Sequence, residues 1–175
     1  MNIMKKIIFI SVILVLIFIG YTYLCFNPIF IGEENIESVN DCSWSNNLCN
    51  PIENIDFISG NNKIIIYTNR IDVQFLPDGI KQRTLLYCTD NAVIQQIKKH
   101  FEFEWNVEDQ AETTASGSKI YFFKDNELVF QSPIIFDDNI SIYFEKTGWI
   151  FSTKYDILRD NFMKFKPMYI PIVLL

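Results

Sequence analysis

Residues 119–152 run KIYFFKDNELVFQSPIIFDDNISIYFEKTGWIFS, and this stretch decides the fold class. It is built of short runs rich in Ile, Val, Phe and Tyr. Such side chains suit a pleated, half-buried surface. Between the runs stand Asp, Asn and Gly, the residues that tolerate the left-handed backbone of tight turns. Lys119 to Phe123 is expected to pair with Glu127 to Gln131 across Lys124-Asp125-Asn126. Ser132-Pro133 is expected to interrupt the strand, because proline cannot donate to a ladder. Ile134 to Phe136 then leads through Asp137-Asp138-Asn139 to Ile140–Glu145, which pairs with Trp149–Ser152 across Thr147-Gly148. Strands joined by such short turns pair antiparallel.

Downstream, Thr153 with Asp156 resembles a capping box. Tyr155, Leu158, Phe162 and Phe165 fall on one face of the helix that would follow, and Pro167 should stop it. The tail MYIPIVLL, residues 168–175, is apolar and too short to cross a membrane; it is expected to add a final strand to the sheet. Upstream, residues 109–118 form a polar loop. Before it Phe103, Trp105 and Val107 alternate with Glu102, Glu104 and Glu108, a strand pattern. A helix from Thr89 or Asp90 to about Phe101 carries Val93, Ile94, Ile97 and Phe101 on its apolar face. Lys63 to Tyr67 should be a strand. Ile71, Val73 and Phe75 suggest a second, turning at Pro77-Asp78-Gly79 into a returning strand from Thr84 to Cys88. The expected class is α+β: a small antiparallel sheet with two helices, preceded by a transmembrane helix.

That helix is IIFISVILVLIFIGYTYLCF, residues 7–26, with no charge until Glu33. A helix of about 20 apolar residues spans a hydrocarbon core. Ser11 is the one polar interruption before the two tyrosines at the far end, where aromatic rings favour the interface. The run is longer than the roughly 7–15 residues of a secretory signal, and Gly20-Tyr21-Thr22 is a poor cleavage site. Leu24 before Cys25 also disfavours a lipoprotein site. An uncleaved signal anchor is expected. Lys5 and Lys6 precede it, whereas residues 27–62 hold no Lys or Arg and six acids: Glu33, Glu34, Glu37, Asp41, Glu53 and Asp56. The positive-inside rule then sets a cytoplasmic tip (1–6), a single pass through the inner (cytoplasmic) membrane (7–26), a juxtamembrane stalk (27–62) and an exported domain (63–175) in the periplasm or outside.

The chain of 175 residues carries a formal net charge of −6, and setting Lys5 and Lys6 aside makes the rest more acidic still. Such a domain lacks the basic footprint of a nucleic-acid binder. The cysteines are Cys25, Cys42, Cys49 and Cys88. In an oxidising compartment Cys42 and Cys49, bracketing a short polar loop, are expected to pair; Cys88 remains an alternative partner for either.

Chemistry is sparse. His100 is the one histidine, near the end of the first domain helix. A Cys88/His100 nucleophile–base pair has no oxyanion-forming glycine loop near it, so a helix-end role is expected for the histidine. No cysteine pair has zinc spacing, and no phosphate loop, dinucleotide fingerprint or serine elbow occurs. No cofactor is therefore expected. Glu102, Glu104, Glu108 and Asp109 form an acidic stretch suited to a protein partner. The layout of a short cytoplasmic tip, one span and a small acidic domain is similar to that of membrane-anchored periplasmic immunity proteins. That likeness implies a non-enzymatic protein-binding module, of immunity or inhibitor type, facing an envelope partner. An accessory structural subunit of an envelope complex is the alternative, and an enzyme using Cys88/His100 the third.

Overall fold

A computed structural model describes residues 3–32, 47–105, 117–136, 139–144 and 147–175. The chain divides into two compact units, one of Met1–Glu33 with Tyr169–Leu175, the other of Glu34–Met168.

The larger unit is α+β. Its described strands are β2 (Leu48–Cys49), β3 (Asn62–Tyr67), β4 (Leu85–Cys88), β5 (Phe103–Glu104), β6 (Lys119–Lys124), β7 (Glu127–Phe136), β8 (Ile140–Phe144), β9 (Gly148–Ser152) and β10 (Lys166–Pro167). They form one nine-stranded sheet in the order β10-β4-β3-β6-β7-β8-β9-β5-β2, every pair antiparallel. This is larger than the small sheet expected, because two-residue strands too short for a periodic signal extend both edges.

The meander forms as its turn residues dictate. Asp125 and Asn126 take positive φ (52° and 68°), the backbone that a two-residue hairpin demands. Asp125 also fastens this turn to a neighbouring loop: its carboxylate accepts from the Asn61 N–H at 2.8 Å while its own N–H donates to the Asn61 carbonyl at 2.9 Å.

The expected break at Ser132-Pro133 does not occur. β7 runs unbroken through both residues, pairing with β6 as far as Lys119↔Pro133 and with β8 from Ile134↔Ile142 onward. The next rung toward β8 would join Pro133 to Tyr143, and proline has no N–H to offer. The buried Ser132 hydroxyl stands beside it. It accepts from the Tyr143 N–H at 3.1 Å and lies 3.1 Å from the Tyr143 carbonyl. A side-chain hydrogen bond thus ties β8 to β7 beside the proline.

Helix α2 (Asn91–His100) starts where Asp90 accepts from the Ala92 and Val93 N–H groups, as expected of an N-cap. It buries Val93, Ile94 and Ile97. Phe101, just past its end, packs edge-on against Phe103, Phe122 and Phe130 at centroid distances of 4.7, 5.2 and 5.9 Å. Helix α3 (Tyr155–Phe162) contributes Leu158 and Phe162, with Phe136 at 5.9 Å from Phe162.

Three other expectations are corrected. Asp72–Phe75 is a short 3-10 helix, not a strand, and Ile71 and Phe75 stand 68% and 61% exposed. An alternating pattern says two faces differ, but not which is buried. The return through Pro77–Ile80 survives as a turn, with Gly79 at φ +91°, and β4 pairs directly with β3. The Thr153–Asp156 capping box is absent: Thr153 spends its hydroxyl on Glu102, and Lys154 at the N-cap makes no side-chain cap. Residues 47–62, expected as stalk, supply β2 and the fully buried Ile52 and Phe57. Asn50 donates to the Lys98 carbonyl and Lys98 to the Ile55 carbonyl, which fixes this segment to the C-terminal end of α2.

The smaller unit contains α1 (Ile3–Phe26), β1 (Ile29–Ile31) and β11 (Ile172–Leu174). α1 is long and apolar enough to cross a membrane, and its apolar window is 0% buried, unlike a core helix. Asn27 and Pro28 end it. The C-terminal tail does form a strand, but not in the large sheet: β11 pairs parallel with β1 in the register Ile29↔Ile172, Phe30↔Val173, Ile31↔Leu174.

Ser132→Ala should destabilise the chain by about 1 kcal/mol, because it removes the buried hydroxyl that accepts from the Tyr143 N–H. A lowered urea midpoint with unchanged slope is the expected reading; an unchanged midpoint would remove Ser132 from the ladder.

Candidate functional site

The sequence singled out two places, and both lie in the larger unit. The first is the acidic stretch. Glu102 is half-buried and engaged: its carboxylate accepts from the Thr153 hydroxyl at 2.7 Å and lies 4.0 Å from the Lys154 ammonium. Glu104, on β5, is exposed. β5 sits between β9 and the edge strand β2, with Glu104 opposite Phe151 and Leu48. Glu108 and Asp109 lie outside the described residues. Among the described residues of this stretch Glu104 is the exposed carboxylate, while Glu102 braces the entry to α3.

The second place is Cys88. It ends β4, two residues before the cap of α2, and is buried. It lines a cleft of about 440 Å³ together with Tyr87, Asp90, Val93, Lys164 and Lys166. Burial pushes its thiol pKa up; Lys166 and Lys164 pull the other way without prevailing. A thiolate is the nucleophilic form, so this site holds the thiol in its unreactive state. His100 is at the opposite end of α2. Ten helical residues rise about 14 Å, so Cys88 and His100 sit at opposite ends of one helix and not within hydrogen-bond reach. The two residues that sequence placed close together are separated by the helix between them.

A second depression of about 320 Å³ is lined by Asn50, Glu53, Gln95, Lys98 and Lys99. Among the described residues no group of three or more His, Cys, Asp or Glu is placed to hold a metal ion. Cys25 and Cys88 are free thiols. Cys49 is buried in β2, and Cys42, its expected partner, lies outside the described residues.

Sequence reasoning missed the loop carrying Ile71 and Phe75. These two exposed apolar side chains stand at the start and the last residue of a 3-10 turn held by Asn69, whose carbonyl accepts from the Asp72 and Val73 N–H groups at 2.9 and 3.1 Å. The Ser118 hydroxyl donates to Asp72 at 2.7 Å and accepts from the Asn69 N–H at 3.0 Å. The loop is therefore braced while its apolar side chains face outward. The signal was present as Ile71 and Phe75 beside Asn, Arg and Asp, but it was absorbed into a strand pattern.

No protein-family model, no curated protein and no solved structure matches this chain.

Alkylation of Cys88 in the folded chain should be slower at pH 8 than in urea, and its rate should keep rising beyond pH 9, since the folded thiol titrates above its unfolded value of about 9. The neutral thiol is the form favoured by folding. Its contribution to stability is present below that unfolded value and lost as pH rises through the folded one. Fast labelling at pH 7 would contradict the buried assignment.

Proposed function

We propose that the chain is a membrane-anchored, extracytoplasmic protein-binding module, of the immunity or inhibitor type. The observation that carries this reading is a 24-residue apolar helix, exposed along its apolar run, joined to a self-contained α+β unit. A helix of that composition left in water would expose an apolar surface far larger than soluble proteins tolerate, so lipid is its natural surround. Lys5 and Lys6 before the span, and the absence of Lys and Arg from residues 27–62, orient the N-terminus to the cytoplasm. The exported compartment is oxidising, and Cys42–Cys49 is the pair we assign to a disulfide; the free state of Cys25 and Cys88 supports that choice.

Binding rather than turnover is the proposed role. Two features support it: the braced loop that presents Ile71 and Phe75, and the acidic stretch of Glu102, Glu104, Glu108 and Asp109. Exposed apolar side chains on a rigid loop can enter a partner's pocket. An acidic surface draws a basic partner and raises its rate of encounter. The buried Cys88 thiol, remote from His100, weighs against the enzymatic alternative.

Four measurements test this reading. An alkaline phosphatase reporter fused after Leu175 should be active and a cytoplasm-only reporter silent; the reverse pattern refutes the orientation. Full-length protein in detergent should retain an envelope protein whose capture weakens as salt rises and is lost on joint neutralisation of Glu104, Glu108 and Asp109, because exposed charges are screened beyond about 8–10 Å. Ile71→Ser with Phe75→Ser should raise the dissociation rate. His100→Gln should leave biological activity unchanged. Loss of that activity in a folded His100→Gln chain would overturn the binding-module reading.

A further inference from the structure

The smaller unit carries a feature that a plain membrane anchor does not need. The segment from Tyr169 to Leu175 is fastened to the outer end of α1. Cys25 donates its thiol to the Tyr169 carbonyl at 3.7 Å, and the Tyr169 ring packs edge-on against Phe26 at 6.2 Å. The Ile29 N–H donates to the Pro171 carbonyl, and the Leu175 N–H to the Ile31 carbonyl, both at 2.9 Å. Gly32, at φ +145°, lies so close to Leu175 that a Cβ there would stand 2.7 Å from its carbonyl oxygen. The two strands thus zip into a parallel ribbon that begins three residues after the helix ends.

One face of that ribbon is uniformly apolar and uncovered. The paired residues Ile29↔Ile172 and Ile31↔Leu174 point the same way, and their exposures run from 45% at Ile172 to 70% at Leu174. Phe30 and Val173 take the other face, Val173 being buried. Neither strand carries a charged side chain: residues 7–32 and 167–175 contain no Asp, Glu, Lys or Arg. Tyr21, Tyr23 and Tyr169 stand exposed around the same helix end, where amphipathic rings favour the headgroup layer. About twenty apolar residues of α1 fill the hydrocarbon thickness, so a ribbon hydrogen-bonded to its exit lies within the next few ångströms, in the interface.

We propose that the β1–β11 ribbon is a second membrane contact, its Ile29, Ile31, Ile172 and Leu174 face seated in the lipid interface beside the anchor helix. The C-terminal tail is then neither a free docking peptide nor part of the large sheet, but a membrane-resting clip. The proposal rests on the anchor reading, since without a bilayer around α1 the ribbon has no lipid beside it. A ribbon of this kind satisfies its inner backbone groups by its own pairing, and the interface, unlike the bilayer core, still supplies water to the outer ones.

The test places one additional tryptophan at a time in the full chain, reconstituted in phosphatidylcholine nanodiscs, and reads the extra quenching when the lipid chains are brominated. Ile172→Trp, Leu174→Trp and Ile29→Trp report the ribbon. Val12→Trp reports the anchor, and Ile58→Trp, at an exposed site of the larger unit, reports water. Quenching at the three ribbon positions should exceed that at Ile58 several-fold and approach that at Val12. Strong quenching at Val12 with ribbon positions no better than Ile58 overturns the clip and leaves the anchor standing. Weak quenching at Val12 as well overturns both. Ribbon tryptophans that are shielded from bromine and become so only as protein per disc rises would assign the face to a second copy of the chain and overturn the lipid contact. Ile29 lies on the strand nearest the helix, so loss of pairing caused by a β11 substitution cannot imitate failure at all three positions.

Discussion

The larger unit depends on one strand passing a residue that cannot hydrogen-bond. β7 is the member common to both halves of the sheet: β6, β3, β4 and β10 follow from one side of it, and β8, β9, β5 and β2 from the other. The crossover between those partnerships falls at Pro133, where the ladder lacks a donor. Beside it the Ser132 hydroxyl accepts from the Tyr143 N–H at 3.1 Å and so ties β8 to β7 next to the proline. A hydrogen bond of this kind contributes on the order of 1 kcal/mol.

Around that strand the core is built mainly of isoleucine and phenylalanine. Phe101, Phe103, Phe122 and Phe130 meet edge to face, in an arrangement that satisfies the ring quadrupoles while excluding water. Phe101 sits just beyond α2 and so locks the end of that helix to the centre of the sheet. Phe57 reaches the same cluster at 6.0 Å from Phe122, which is why residues read as stalk are part of the folded unit.

Much of this was legible from residue order. The Asp125-Asn126 turn, the Asp90 cap and the apolar faces of α2 and α3 follow from local chemistry, and local chemistry is what a sequence displays. The failures share one cause: each depended on a partner distant in the chain. Pro133 breaks a strand unless a neighbour compensates. Thr153 caps a helix unless Glu102 claims its hydroxyl. Ile71 and Phe75 belong inside unless the loop that bears them turns outward. The acidic stretch was found by composition alone, which identifies Glu102 and Glu104 equally; the fold separates a bracing carboxylate from an exposed one.

The outermost strands of the large sheet are each two residues long. One is Lys166–Pro167 and the other Leu48–Cys49. Long, flat edges present rows of unpaired backbone groups that recruit foreign strands. Here one border ends in a charged residue and an imino acid that cannot donate, and the other stops after a single pair of rungs. A nine-stranded, phenylalanine-rich sheet would otherwise be a template for amyloid-like growth. Blunt borders of this kind disfavour pairing with a foreign strand while the centre stays aromatic.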